Sequence, residues 1–121
     1  MNDVEKTDLF NRLRKIMAAY EKLLTCTGDN ENSYELYTTH IMKNKKPLFF
    51  GGVKINKNFV SYHLMGLYVF PEMVEQIDPK LRALLKGKSC FNVKRLDEHL
   101  LNQLERITQR CLERYQSQGY V

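Results

Sequence analysis

Five residues in the middle of the chain, Phe50, Gly52, Lys54, Ser61 and His63, are of the types that hold a small molecule. Phe50 offers a flat apolar wall, His63 and Lys54 offer donors and charge, and a glycine facing a serine leaves a shallow space between them. An apolar wall with convergent polar groups suits a small anionic or aromatic ligand. These side chains converge only if two strands carry them, because alternate residues of a strand share a face. Taking Asn56-Lys57 as a two-residue hairpin turn sets Ile55 opposite Asn58, Val53 opposite Val60, Gly51 opposite Tyr62 and Phe49 opposite Leu64. The other face then pairs Lys54 with Phe59, Gly52 with Ser61, Phe50 with His63, and Leu48 with Met65. The first face is almost wholly apolar and reads as core; the second is mixed and reads as open. The competing explanation is that the two glycines serve curvature or a bulge.

A second group, Lys86, Lys88 and Ser89 around Gly87, brings two cations and a hydroxyl to one turn and suits an anion. The turn is expected to follow a helix, and no Gly-x-x-x-x-Gly-Lys-Ser/Thr loop is present, so the P-loop mechanism does not apply. Cys90 would be a nucleophile if a base such as His63 approached it, whereas a buried free cysteine ordinarily behaves as a small hydrophobe. His40, His63 and His99 show no metal-ligand spacing, and no metal site is assigned. Arg106, Arg110 and Arg114 recur every four residues, the pattern of a solvated charged face. Tyr34, Tyr37, Tyr68 and Tyr120 offer stacking surfaces for bases, but no RNA-binding octamer accompanies them. Paired carboxylates, a nucleophile–base constellation and a cofactor fingerprint are all missing from the pattern, which points away from an enzyme. No catalytic residue or cofactor is assigned from the residues.

The elements that must position these groups follow from periodicity. Leu9, Leu13, Ile16, Met17, Tyr20 and Leu24 predict an amphipathic helix over 7–24, with Thr7 as N-cap and Asp8 near its positive end. The turn-rich run from Thr27 to Asn32 is expected to end it. Ser33 to Thr39 reads as a short strand, and a basic loop over Lys43–Lys46 leads to a strand opened by Pro47. Leu67 to Phe70 reads as a third strand stopped by Pro71, and residues 72–77 as a helical turn. Asp78-Pro79 predicts a capped helix over Pro79–Lys86 with Gly87 as its C-cap. Ser89 to Val93 reads as a strand. The last helix is expected from Asp97 to Gln118, with Leu100, Leu104, Ile107, Cys111 and Tyr115 as its apolar stripe, Leu101 and Leu112 beside it, and Gly119 after it. The expected fold is a single α+β domain over residues 1–121, an antiparallel sheet with both terminal helices packed on one face.

With 121 residues, 43% apolar and 27% charged, the chain is long enough to bury a core without disulfides. Three separated cysteines, Cys26, Cys90 and Cys111, fit neither a disulfide framework nor a zinc ribbon. Free thiols and a polar amino terminus imply the cytoplasm. The longest nearly apolar stretch, Leu64 to Phe70, is too short to span a bilayer, and no membrane partner is expected. A net charge of +5 favours anionic partners, although the surplus is too modest to make nucleic acid the first expectation. A small ligand, a protein partner or a second copy of the chain remain.

The runs Pro47-Leu48-Phe49-Phe50-Gly51-Gly52-Val53-Lys54-Ile55, Tyr62-His63-Leu64-Met65 and Gly87-Lys88-Ser89-Cys90-Phe91-Asn92 resemble the YdhG-like domain family, most of whose members have no assigned role. The resemblance extends from about Leu9 to Tyr115. It implies a frataxin-like fold, with two terminal helices against one face of an antiparallel sheet. Some bacterial members of the wider group are regarded as iron chaperones, so the resemblance also implies iron as a cargo held by an acidic ridge on the first helix. Here Asp3, Glu5, Asp8 and Glu21 are interleaved with Arg12, Arg14, Lys15 and Lys22, which opposes a cluster of oxygen ligands. The reading placed first is a non-catalytic small-ligand or partner-binding domain; the iron chaperone is the alternative.

Overall fold

A computed structural model describes residues 1–121. The first helix, α1, spans Asp3–Ala18. It begins a turn earlier than the apolar stripe indicates, and Thr7 lies inside it. Asn2 is the cap: its side chain accepts from the Glu5 amide at 2.8 Å, and the Glu5 carboxylate accepts in return from the Asn2 amide at 3.4 Å. This capping box satisfies amide donors that a helix otherwise leaves open. The first turn carries no core residue, so hydrophobic periodicity cannot see it. After α1 a 3₁₀ turn over Glu21–Leu23 replaces the helical continuation to Leu24.

The segment expected only to end the helix is a strand. β1 spans Thr25–Asp29 and pairs with β2, Ser33–Ile41. β1 lies at the sheet edge, mostly exposed, so the alternation that marks a half-buried strand never develops. β3 spans Pro47–Ile55 and β4 spans Val60–Leu64. Their turn is longer than two residues: Ile55 pairs with Val60, and the Asn56 amide donates to the Phe59 carbonyl at 2.8 Å. Val53 therefore faces Tyr62, Gly52 faces His63, and Lys54 faces Ser61. The slip from the expected register is two residues, which preserves the face of every side chain.

A bulge changes the faces further back. Leu36 pairs with Gly51 but Tyr37 pairs with Phe49, so Phe50 is an extra residue in β3. Upstream of an extra residue the alternation inverts. Phe50 accordingly turns inward and is fully buried, while Phe49 turns outward. The expectation for these two neighbours was the reverse.

Gly66–Val69 is a short helix, α2, where a strand was expected. A four-residue apolar run is compatible with either state. The first residue of α2 packs closely in the core: a Cβ on Gly66 would lie 2.6 Å from the Cys111 sulfur. A 3₁₀ segment, Pro71–Gln76, follows, as the sequence indicates. α3 is only Pro79–Arg82, capped by Asp78 as expected but ending earlier than Lys86. Leu85–Lys86 forms β5, paired with β6, Cys90–Val93. Gly87, with φ of +65°, occupies the β5–β6 turn instead of a helix C-cap.

The final helix, α4, spans Glu98–Ser117. Asp97 caps it by accepting from the His99 and Leu100 amides, and Gly119, with φ of +78°, follows it. All strands are antiparallel in the order β1-β2-β3-β4-β6-β5. α1 and α4 cover one face. Met17 of α1 meets Gly51, and the Tyr62 hydroxyl lies 2.6 Å from the Thr108 hydroxyl of α4. Twenty-six buried apolar residues form one core between the helices and the sheet.

Candidate functional site on the open sheet face

The sheet face opposite the helices is formed by alternate residues of four strands. Glu35 and Tyr37 come from β2, Phe49, Gly52 and Lys54 from β3, Ser61 and His63 from β4, and Cys90 from β6. They line a shallow depression of about 440 Å³. Four of the five residues expected at a ligand site, Gly52, Lys54, Ser61 and His63, are thus brought together. Phe50 is not among them. It packs in the core, its ring centroid 5.5 Å from Tyr115 and 6.5 Å from Tyr20. Phe49 takes the role assigned to it.

Phe49 is positioned from both sides. Its ring centroid lies 4.8 Å from Tyr37 and 5.1 Å from His63, in tilted geometry. Tilted aromatic pairs at such distances are mutually attractive. Beneath the ring is Gly52, where a Cβ would come within 3.2 Å of the Phe49 Cζ. Glycine lets the ring lie low against the strand. The Tyr115 hydroxyl of α4 donates to the Phe49 carbonyl at 2.8 Å and anchors the bulge from the core side.

On the far side of Phe49 lies a second, more apolar depression of about 560 Å³. It shares Tyr37, Phe49 and Met65 with the first and adds Met42, Tyr68 and Lys46 among its walls. Phe49 is the partition between a polar and an apolar half of one surface. Tyr68 is 56% exposed, and the Lys88 ammonium lies 5.4 Å from its ring centroid, within range of a cation–π attraction.

The two sequence-predicted sites merge here. Ser89, expected to bind an anion beside Lys86 and Lys88, is buried, and its Oγ lies 2.8 Å from the His63 Nε2. Its hydroxyl is engaged by the imidazole. Lys86 stands opposite Cys90 on β5, at the edge of the same sheet. Burial lowers the His63 pKa, so the imidazole is neutral near pH 7. Cys90 is the register neighbour of His63, but the ring nitrogen is paired with Ser89. Burial pushes the Cys90 thiol up, a hydrogen bond with Ser61 opposing it, so the group stays protonated at neutral pH. Ser61 is further held by the Asn56 side chain at 3.1 Å, which ties the hairpin turn to the floor of the depression.

The other singled-out residues lie elsewhere. His40 stacks on Tyr120 at 4.4 Å, and His99 sits 3.4 Å from Asp78 beside the α4 cap. Arg114 pairs with Glu72 at 3.0 Å and covers the Phe70 ring, while Arg110 donates to Gln76. These arginines clamp the 3₁₀ segment Pro71–Gln76 onto α4. Cys111 is buried in the core, its pKa pushed up to about 12 by burial. Among the tyrosines, Tyr34 is in the core and Tyr120 packs on Tyr115, leaving Tyr37 and Tyr68 on the open face. The sequence reading put Phe49 on the wrong face, and it placed Met65 on the open face without assigning it to the site. A visible signal was the Phe49-Phe50 pair beside two glycines, a composition that suits a bulge.

Comparison with protein-family models, with curated proteins and with solved structures found no match to this chain. No helix is long and apolar enough to cross a membrane.

Proposed function

We propose that this chain is a non-catalytic binding domain whose open sheet face takes a small ligand with a flat apolar body and an anionic group. The observation that carries this reading is the Phe49 ring, which lines both depressions and is flanked by Tyr37 and His63. A flat apolar body fits the side lined by Tyr37, Met42 and Tyr68. Lys46, Lys54 and Lys88 border the surface and supply positive charge, in keeping with the chain's surplus of cations. Neutral His63, its Nε2 held by the buried Ser89, adds a polar edge to the surface without a further charge. Pockets that hold small molecules share this composition, mostly apolar with a few placed polar groups.

The test is a ligand titration followed by NMR. Planar aromatic carboxylates and mononucleotides serve as probes, with aliphatic carboxylates and uncharged aromatics as controls. Shifts concentrated on Tyr37, Phe49, Gly52 and His63 are expected for the aromatic anions, with loss of binding in Phe49→Ala. Shifts spread over surface lysines with every anion would count against a built site. An intracellular iron chaperone, the alternative implied by resemblance to YdhG-like domains, predicts instead that ferrous iron perturbs Asp3, Glu5 and Asp8. Two of these already have other roles: Asp3 lies 3.5 Å from Lys6, and Glu5 completes the α1 capping box. The small-ligand reading ranks first for that reason.

A further inference from the structure

At the β1 edge of the sheet, Glu21, Cys26 and Asp29 bring two carboxylates and a thiol together on the helix-covered side. Their donor atoms lie within 4.8 Å of one another. The chain arranges this convergence through two irregularities. The 3₁₀ turn after α1 folds Glu21 back over β1. In β1 itself, the register shifts between Cys26 and Gly28. Residues three apart in a regular strand point to opposite faces. Here Cys26 pairs with Leu36 and Asp29 pairs with Tyr34, two buried residues that share the helix-covered face. The bulge puts Cys26 and Asp29 on one side.

A second observation concerns Tyr34 itself. Its side chain is fully buried, yet its hydroxyl has no hydrogen-bond partner. Buried polar groups in folded proteins are rarely left so. The nearest acceptor is the Glu21 carboxylate, but the two close no hydrogen bond; burial raises the Tyr34 pKa most, Glu21 and then Cys26 raise it further, and Arg14 opposes them. The Tyr34 backbone pairs with Asp29 in the β1–β2 register. The cluster therefore has an inward-lying hydroxyl that lacks a partner.

Arg14 decides which cation would fit. Its guanidinium forks onto both Asp29 oxygens at 3.1 and 2.8 Å and lies 4.5 Å from the Tyr34 ring centroid. The fork holds the carboxylate rigid while each oxygen keeps a second lone pair, as carboxylates that ligate metals are commonly held. Its charge also weakens the attraction for a hard cation bound by charge alone, and leaves selection to the sulfur. Thiolate, imidazole and carboxylate sets favour zinc-class ions over magnesium or calcium.

We propose that Glu21, Cys26 and Asp29 bind a thiophilic divalent transition ion of the zinc class, with the Tyr34 hydroxyl hydrogen-bonded to a water that completes the coordination. Binding exchanges the Cys26 S–H proton for the metal–sulfur bond and releases that proton to solvent. The site is independent of the open-face ligand reading. It also lies away from Asp3, Glu5 and Asp8 at the start of α1.

The test is anaerobic titration of the full chain with Co²⁺ under reducing conditions, followed by competition with Zn²⁺, Mg²⁺ and Ca²⁺. One equivalent of Co²⁺ should give a near-ultraviolet thiolate-to-cobalt charge-transfer band, displaced by Zn²⁺ and untouched by Mg²⁺ or Ca²⁺. Cys26→Ser should abolish the band, and Glu21→Gln should weaken Zn²⁺ binding by about tenfold or more. Cys90→Ser should leave the band intact. Cys26 is exposed, so amide spectra of Cys26→Ser should retain the fold and keep the comparison valid. Absence of the band, its survival in Cys26→Ser, or equal competition by Mg²⁺ would overturn the proposal.

Discussion

The two faces of the central sheet are built from the same strands, but the adjacent residues Phe49 and Phe50 meet opposite environments. Phe50 is sealed between Tyr20 and Tyr115 under the helices, whereas Phe49 stands on the open side between Tyr37 and His63. Under α4 the inner face pairs its polar groups internally, with Tyr62 bonded to Thr108 and Thr108 to the Leu104 carbonyl, and only the Tyr34 hydroxyl near the β1 edge is left without a partner. The outer face leaves aromatic surface and lysines at its border. One inserted residue in β3 separates a side chain that stabilises the fold from one that shapes the candidate site. A face's role follows from what covers it, and a bulge decides which residue is covered.

The sharpest way to break that contrast is to truncate the two neighbours in turn. Phe50→Ala should destabilise the fold by about 3–5 kcal/mol, the range for removing a buried ring. Phe49→Ala should cost about 1 kcal/mol or less, close to a surface substitution, while removing ligand binding. Denaturant melts of both variants, with an NMR titration of the second, measure the difference. Equal destabilisation would erase the distinction between the faces.

The paired glycines give a second, smaller contrast. A Cβ at Gly51 would meet the Met17 side chain at 2.6 Å and the His63 carbonyl at 2.8 Å. Gly51→Ala should therefore cost about 1–3 kcal/mol by overpacking. At Gly52 the nearest contacts are 3.0 Å to the Tyr34 carbonyl and 3.2 Å to the Phe49 ring. Gly52→Ala should destabilise less and show its main effect as a displaced Phe49 ring, seen as changed ring-current shifts on Tyr37 and His63.

Tyr62→Phe removes a buried hydroxyl whose partner keeps a second bond to Leu104. A loss of about 1 kcal/mol is expected in a thermal or denaturant melt. The smallest effect belongs to His63. Burial lowers its pKa in the folded state, so the unfolded chain binds the proton more tightly. Stability is fully present above the ordinary histidine range, about 6.5, and falls as pH drops from there through the lowered folded value. Melting temperatures across this window should decline in the parent chain, and His63→Gln should flatten the part due to this residue.

Much of the architecture was legible from residues alone where local signals and packing agree. α4 is the clearest case: the Asp97 cap, the stripe from Leu104 to Tyr115 and Gly119 all mark the same helix. The faces of Val53, Val60 and Tyr62 were also legible, because a two-residue slip keeps parity. β1 was not, since an exposed edge strand bears no apolar alternation. The exchange of Phe49 and Phe50 was hidden for a different reason. The glycines of β3 suit a bulge, but a bulge is defined by the partner strand, and only the pairing with β2 fixes that Leu36 and Tyr37 skip Phe50. The cluster of Glu21, Cys26 and Asp29 was hidden twice over, behind the missed strand and its own bulge.

The central assertion is that Phe50 faces inward and Phe49 outward. Proton–proton Overhauser contacts of the two rings test it most directly. Cross-peaks from Phe49 to Tyr37 and His63, and from Phe50 to Tyr20 and Tyr115, are the expected result. Cross-peaks joining Phe50 to His63 and Phe49 to Tyr20 would contradict the bulge and the site built on it.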